Sequence, residues 1–459
     1  MKKKNRKKSQ NILKNLSRRQ FIQLGGLALP LSVFSKKSFG QSSTPKRFVQ
    51  FFLGGGWDTA LATDPVYGTK RDSGTYDARY LSRTISTVTG KDNLIMGDGI
   101  APAATAFQTM NTLFINGMYV EVTAHELATK YLLSGRPTLS RSREYPALAA
   151  LMGSSSGEFP PHVNLGLAIP LGDTKVSNPP IHAVSTDHLS MMLSGPRVYQ
   201  DPGDPDAVNI NDTAIAAMNK LVADLDSIHG TRISSAENAK LATWRAASSR
   251  ITQIYDKRFD QSIRMNDTIR SRYNVSQNWT MEANTAAAFL SLQAGLSSFI
   301  TIHGAGYDTH SSHIANHVPL MNSFANTLNT FVADLAATQD PDAASGTTLA
   351  DTTTILITSE FNRTPTYNVA DGTDHWTSAS AILMGKDVKD NTVIGKTDDA
   401  AMALGWENGS AVTRTDTTVL NPEKIFSGLC RYMGFDEAAG TILSDGNISN
   451  TYRSLMFNS

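Results

Sequence analysis

Arg47-Phe48-Val49-Gln50-Phe51-Phe52-Leu53 runs directly into Gly54-Gly55-Gly56-Trp57-Asp58-Thr59. A β-rich run that stops at glycines and a carboxylate is how a strand of an open α/β sheet ends. Working outward, similar runs cover Thr112 to Asn116, Val163 to Ala168, Ser298 to His303, Thr353 to Thr358 and Ser380 to Met384. Helical patterns lie between and beyond them, over Tyr145 to Met152, Asp212 to Ile228, Ser235 to Tyr273, Met281 to Leu296, Ile314 to Ala337 and Pro422 to Met433. The alternation predicts an α/β protein with a mostly parallel sheet and helices on its faces. The stretch from about 190 to 280 has no strand pattern and is expected to be a helical insertion covering one end of the sheet. Asp201-Pro202-Gly203-Asp204-Pro205 and Asp340 through Thr348 are expected to be surface loops, and no repeat period is present.

In such sheets ligands gather beyond the carboxyl ends of the strands, and these ends are rich in metal-ligand side chains. The first carries Asp58. A later one reads Gly304-Ala305-Gly306-Tyr307-Asp308-Thr309-His310, with His313 and His317 following. Another reads Ser359-Glu360-Phe361-Asn362-Arg363-Thr364-Pro365, and after it comes Gly372-Thr373-Asp374-His375-Trp376. Carboxylates mixed with imidazoles suit zinc and similar divalent ions, with a position left for water or substrate. An Asp after glycines also serves as a turn residue or helix cap. His313 and His317, one helical turn apart, fit either metal binding or a solvated helix face. His125 through Arg136 reads as a loop entering a helix that Gly135 ends. Amides at that start can hold an anion, with His125, Lys130 and Arg136 adding positive or hydrogen-bonding groups; an ordinary helix with a basic face is the alternative.

Ser17-Arg18-Arg19-Gln20-Phe21-Ile22-Gln23 lies between a lysine-rich start and the apolar run Leu24 to Phe34. This is a twin-arginine export signal. Its apolar run is far short of the roughly 20 residues that span a bilayer, so it reads as a signal core and not an anchor. Ser38 and Gly40 suit signal-peptidase cleavage, which places the mature start near Gln41. The expectation is residues 1–40 as signal, the twin-arginine translocase as partner during export, a periplasmic or secreted product, and no stable membrane anchor after cleavage.

The chain has 459 residues, 40% hydrophobic and 18% charged, enough to bury the core of one large domain with insertions or of two. Residues 1–40 hold 11 of the 42 Lys+Arg and none of the 41 Asp+Glu, which leaves 31 against 41, a net charge of −10. So acidic a remainder has no electrostatic footprint for nucleic acid. Cys430 is the only cysteine, so no internal disulfide forms.

Taken in order, the twin-arginine signal, Gly-Gly-Gly-Trp-Asp58-Thr59, His125 through Leu-Leu-Ser-Gly-Arg136, Tyr-Asp308-Thr-His310, Glu360-Phe-Asn-Arg363-Thr-Pro365 and Asp374-His375-Trp376 resemble the domain-of-unknown-function 1501 family, within the alkaline phosphatase and sulfatase superfamily. The resemblance implies a single domain over residues 41–459 with the insertion at about 190–280. Its fold would be a doubly wound, mostly parallel sheet with helices on both faces. It implies one or two divalent ions (Zn, Mn or Ca) and action on small phosphate or sulfate esters. By position Asp58 resembles the first-strand metal carboxylate, Asp308 and His310 the central ligands, Glu360 the usual late aspartate and His375 the late histidine. The chain departs from the superfamily in two places. Phe361 stands where active members carry a ligating histidine. Counting back from Leu132-Leu133-Ser134-Gly135-Arg136, which resembles the end of the sulfatase signature, puts His125 at the nucleophile position. His125 is therefore expected as a catalytic base or metal ligand, with Arg136 and Lys130 engaging the anion and Thr123 or Thr129 as nearby hydroxyls. The alternative is a non-catalytic periplasmic binding or envelope-assembly protein on the same fold. An oxidoreductase is disfavoured, since there is no cysteine cluster and Gly54 to Gly56 lack dinucleotide spacing.

Overall fold

All seven residues of the Arg47–Leu53 strand are buried, because it has a parallel neighbour on each side and helices over both faces. In the computed structural model Phe48 through Leu53 pair with Phe299 through Gly304, and Arg47 through Phe52 pair with Thr353 through Thr358. The eight-stranded sheet runs Thr392–Ile394, Thr112–Tyr119, Ser378–Met384, Thr353–Thr358, Arg47–Leu53, Phe299–Gly304, Val163–Leu165, Ile181–Ala183. Ser378–Met384 is antiparallel to both neighbours; the other pairings are parallel. The expected mostly parallel sheet is therefore present.

Alternation along the first strand distributes its aromatics between the two faces. Phe51 meets Phe324 and Phe331 of the His313–Ala337 helix edge-on, at ring separations of 5.5 and 5.6 Å. Phe48 and Phe52 join a core with Leu132 and Leu133 of the His125–Ser134 helix and Leu429 of the Pro422–Met433 helix. Cys430 lies in the same core, where burial pushes its thiol pKa up.

The structure describes residues 45–65, 76–137, 144–156, 160–166, 171–176, 180–194, 220 and 262–458. The chain divides into two compact units, Met1–Lys37 with Met192–Arg258, and Ser38–Met191 with Phe259–Ser459. Nearly all of the first unit lies outside the described residues, including the expected export signal, the Asp201 to Pro205 loop and the helix at Asp212 to Ile228. In the second unit the helix expected to run on to Tyr273 is interrupted. Asn266 caps a new helix, Asp267–Arg272, by accepting from the Ile269 amide. The helix expected over Tyr145 to Met152 lies at Leu148–Ser156.

Asp340, read as part of a surface loop, is buried. Its carboxylate clamps Arg47 at the foot of the first strand, with Arg47 Nε at 2.8 Å and Nη2 at 2.5 Å, and Asp342 takes the same Nη2 at 2.7 Å. A buried guanidinium needs such partners, which is why this loop folds inward. No helix among the described residues is long and apolar enough to cross a membrane.

Candidate functional site

The site begins where the first strand ends. Gly55 and Gly56 adopt φ of 123° and 80°, and a Cβ on Gly55 would lie 2.3 Å from the Asp308 amide nitrogen. Only glycine allows this backbone to turn so close to the Asp308 loop. Arg363, also buried, ties the converging segments together. Its Nε donates to Gly56 O at 2.9 Å and its Nη1 to Thr373 O at 3.1 Å. Its Nη2 reaches Gly55 O, Tyr307 O at 2.9 Å and Asp308 Oδ1 at 2.7 Å.

Around Asp308 three imidazoles converge. His125 Nε2 lies 3.2 Å from Asp308 Oδ2; His375 Nε2 and His310 Nε2 lie 3.2 and 3.0 Å from Oδ1. His310 Nε2 and His375 Nε2 are 3.0 Å apart. The opposite nitrogen of each ring faces an oxygen acceptor. His125 Nδ1 meets Glu360 Oε1 at 2.9 Å, His375 Nδ1 meets Thr123 O at 2.8 Å, and His310 Nδ1 meets Asp374 Oδ1 at 3.0 Å. In a neutral ring only one nitrogen carries the proton, so an Nδ1–H held by its oxygen leaves Nε2 as an acceptor, whereas an Nε2–H donates to Asp308 or to the neighbouring imidazole. The Arg363 guanidinium, 2.7 Å from Asp308 Oδ1, already supplies one positive charge to this carboxylate. His125 Nε2 is buried and makes no hydrogen bond, its nearest charged neighbour being Asp308 Oδ2. Ligand atoms of His125, Asp308 and His375 all lie within 4.8 Å of one another, so the group could hold a metal ion; His310 Nε2 lies beside it, 3.0 Å from both Asp308 Oδ1 and His375 Nε2.

The electrostatics follow from this packing. The hydrogen bond to Glu360 raises the His125 pKa against the opposing effect of burial. Burial lowers His375, outweighing its contact with Asp308. Asp308 would be raised by burial, but hydrogen bonds from Arg363 and His375 bring it down to about 2. Phe361 forms an apolar wall, its ring 4.9 Å from that of His125 and 4.4 Å from that of His375.

Of the residues expected at the site, His125, Asp308, His310 and His375 come together. Glu360 lies one layer out, accepting from the Gly55 amide at 2.7 Å, Ser359 Oγ at 2.9 Å and His125. Asp58 departs from the expected ligand role. Its oxygens take the Ala60 amide at 2.8 Å, Tyr80 Oη at 2.7 Å and His313 Nε2 at 2.8 Å, because the turn at Gly55 and Gly56 aims it away from Asp308. His313 and His317 are fully buried, which overturns the solvated-face reading. Lys130 is buried and bonds Glu126 Oε1 at 3.2 Å. Arg136 lies beyond Gly135, stacked 4.1 Å above the Tyr145 ring. The intervening helix, about 15 Å long at 1.5 Å per residue, separates it from His125. Arg363 and Asp374 had no role assigned from sequence; their signal was adjacency to motif residues.

Among curated proteins none matches this sequence. Solved structures similar to it include a protein in the alkaline phosphatase superfamily from Vibrio parahaemolyticus, at 11% identity and a TM-score of 0.36, covering 90% of this chain and 74% of that one. Alkaline phosphatase from the Antarctic bacterium TAB5 matches at 10% identity and 0.29, covering 75% and 92%. The lipoteichoic acid synthase LtaP from Listeria monocytogenes matches at 9% and 0.34, covering 95% and 99%. With scores of this size, the fold rests on the strand order itself. The family model described as "Protein of unknown function (DUF1501)" matches residues 45–442, and the chain belongs to that family.

Proposed function

We propose that this protein is an exported, metal-dependent hydrolase of small phosphate or sulfate esters. The observation that carries the reading is the aim of three imidazole Nε2 atoms at Asp308, each ring held by an oxygen acceptor on its far side. His125, Asp308, His310 and His375 would hold the ion, oriented by Glu360, the Thr123 carbonyl and Asp374. A donor set of three nitrogens and a carboxylate suits zinc or manganese better than calcium, which takes six to eight oxygens. A divalent ion there would supply Lewis acidity toward an ester oxygen and lower the pKa of water. The His125–Ser134 helix has no side-chain cap at its start, so its first amides are available to the ester anion. In this reading water bound to the ion is the attacking group. His125 acts in this reading as a ligand and not as a nucleophile.

Purified protein is expected to carry about one equivalent of zinc or manganese by elemental analysis and to cleave an aryl phosphate or aryl sulfate. Asp308→Asn should lose both. A metal-free protein whose stability ignores chelator would sink the reading. Phe361 favours a second reading, a non-catalytic periplasmic binding or assembly protein, since it stands where a ligating side chain is expected; bound metal with neither ester cleaved supports that one.

Export belongs to the proposal as well. Changing Arg18 and Arg19 together to Lys should leave uncleaved protein in the cytoplasm on cell fractionation; normal periplasmic accumulation of that variant contradicts the twin-arginine route.

A further inference from the structure

Behind the ligand cluster lies a buried network that the proposed chemistry does not use. Asp58 Oδ2, fixed by Tyr80 Oη, faces His313 Nε2 at 2.8 Å and so requires the ring proton there. That leaves His313 Nδ1 as an acceptor, and two hydroxyls meet it, Thr309 Oγ1 at 2.6 Å and Thr373 Oγ1 at 3.1 Å. Thr309 lies between Asp308 and His310 in the chain; Thr373 immediately precedes Asp374 and His375. His317 closes the network, with Nε2 accepting from the Asp58 amide at 2.9 Å and Nδ1 donating to Thr309 Oγ1 at 2.9 Å. Ser312, at φ of 46°, turns the chain just before His313, a conformation that a non-glycine residue adopts only where its surroundings enforce it.

We propose that His313, held by Asp58, is a positioning residue that sets the spacing between the two ligand loops, 307–310 and 373–375, through the hydroxyls of Thr309 and Thr373. The inference rests on the metal-site reading for its consequence, yet its geometry belongs to the protein alone. One ring nitrogen shared by both loops makes their positions interdependent. The Thr373 amide adds a direct link by donating to Thr309 O at 3.2 Å.

The test is hydrogen exchange on the metal-free full chain, followed by zinc titration. Thr309→Val should speed exchange of the Thr373 and Asp374 amides by roughly tenfold or more, and Thr373→Val should do the same for the Thr309 amide. Zinc affinity should fall by about 10–100-fold, the usual cost of losing an orienting partner. Thr309→Ser keeps the hydroxyl and should behave as the unchanged protein. If Thr309→Val leaves the 373–375 loop unaltered, or Ser disturbs it as much as Val does, the clamp is wrong. Absence of zinc binding by the unchanged protein would defeat the metal reading instead, and exchange coupling would still decide the clamp.

Discussion

Glu360 carries the most consequence of any single side chain around the cluster. It is 2% exposed and receives a backbone amide, a hydroxyl and an imidazole, so it fixes which His125 nitrogen faces Asp308. Because its hydrogen bond is the largest cause raising the His125 pKa, Glu360→Gln should move that pKa down, read by histidine NMR titration of the metal-free protein. Zinc affinity should weaken by about 10–100-fold in the same variant. An unmoved His125 titration would show that Glu360 does not control the ring. The sign for stability follows: a raised folded pKa contributes stability that is present below the ordinary value of 6.5 and lost as pH rises through the raised one. None of this was visible in sequence, where Glu360 was expected as a ligand because it lies at a strand end.

At the scale of elements, the Gly54 to Asp58 turn decides the architecture of the site. A side chain on Gly55 meets backbone of the Asp308 loop at 2.3 Å and must also accept φ of 123°. Gly55→Ala should therefore cost at least about 2–3 kcal/mol in chemical denaturation and abolish metal retention. Near-normal stability with metal retained would show that the turn has another solution. The sheet strands most legible in the sequence are those buried on both faces, as in Arg47–Leu53, where five of the seven residues are apolar and glycines follow. The Leu148–Ser156 helix starts three residues later than the sequence pattern predicts, because Tyr145 and Ala147 are apolar without being helical. The helical pattern through Tyr273 runs across a break, because Asn266 acts as a cap only in a context that composition does not reveal.

For the molecule as a whole, buried neutral histidines set the response to acid. His162, bonded to Thr301 at 2.9 Å, and His303, bonded to Asn164 at 2.8 Å, sit between strands at one side of the sheet. Burial lowers their pKa values to about 3 and about 4, and burial also holds His317 far down. The unfolded chain takes these protons near 6.5, so between that value and the folded ones it binds more protons than the native state. Stability should then fall as pH falls below 6.5, by up to about 1.4 kcal/mol per pH unit for each such histidine. Chemical denaturation at pH 7, 6 and 5 checks this, and a flat profile contradicts it. From the sequence alone came the alternating elements, the mostly parallel sheet and the short segments from which the cluster is drawn. Those follow from local pattern, since burial on two faces and glycine at a sharp turn leave marks within a few residues. The tertiary structure alone decided that Asp308 meets His125, His310 and His375 while Asp58 faces His313. Side-chain direction beyond a strand end depends on glycine torsions and on partners some 250 to 310 residues away in the chain, which local pattern does not encode.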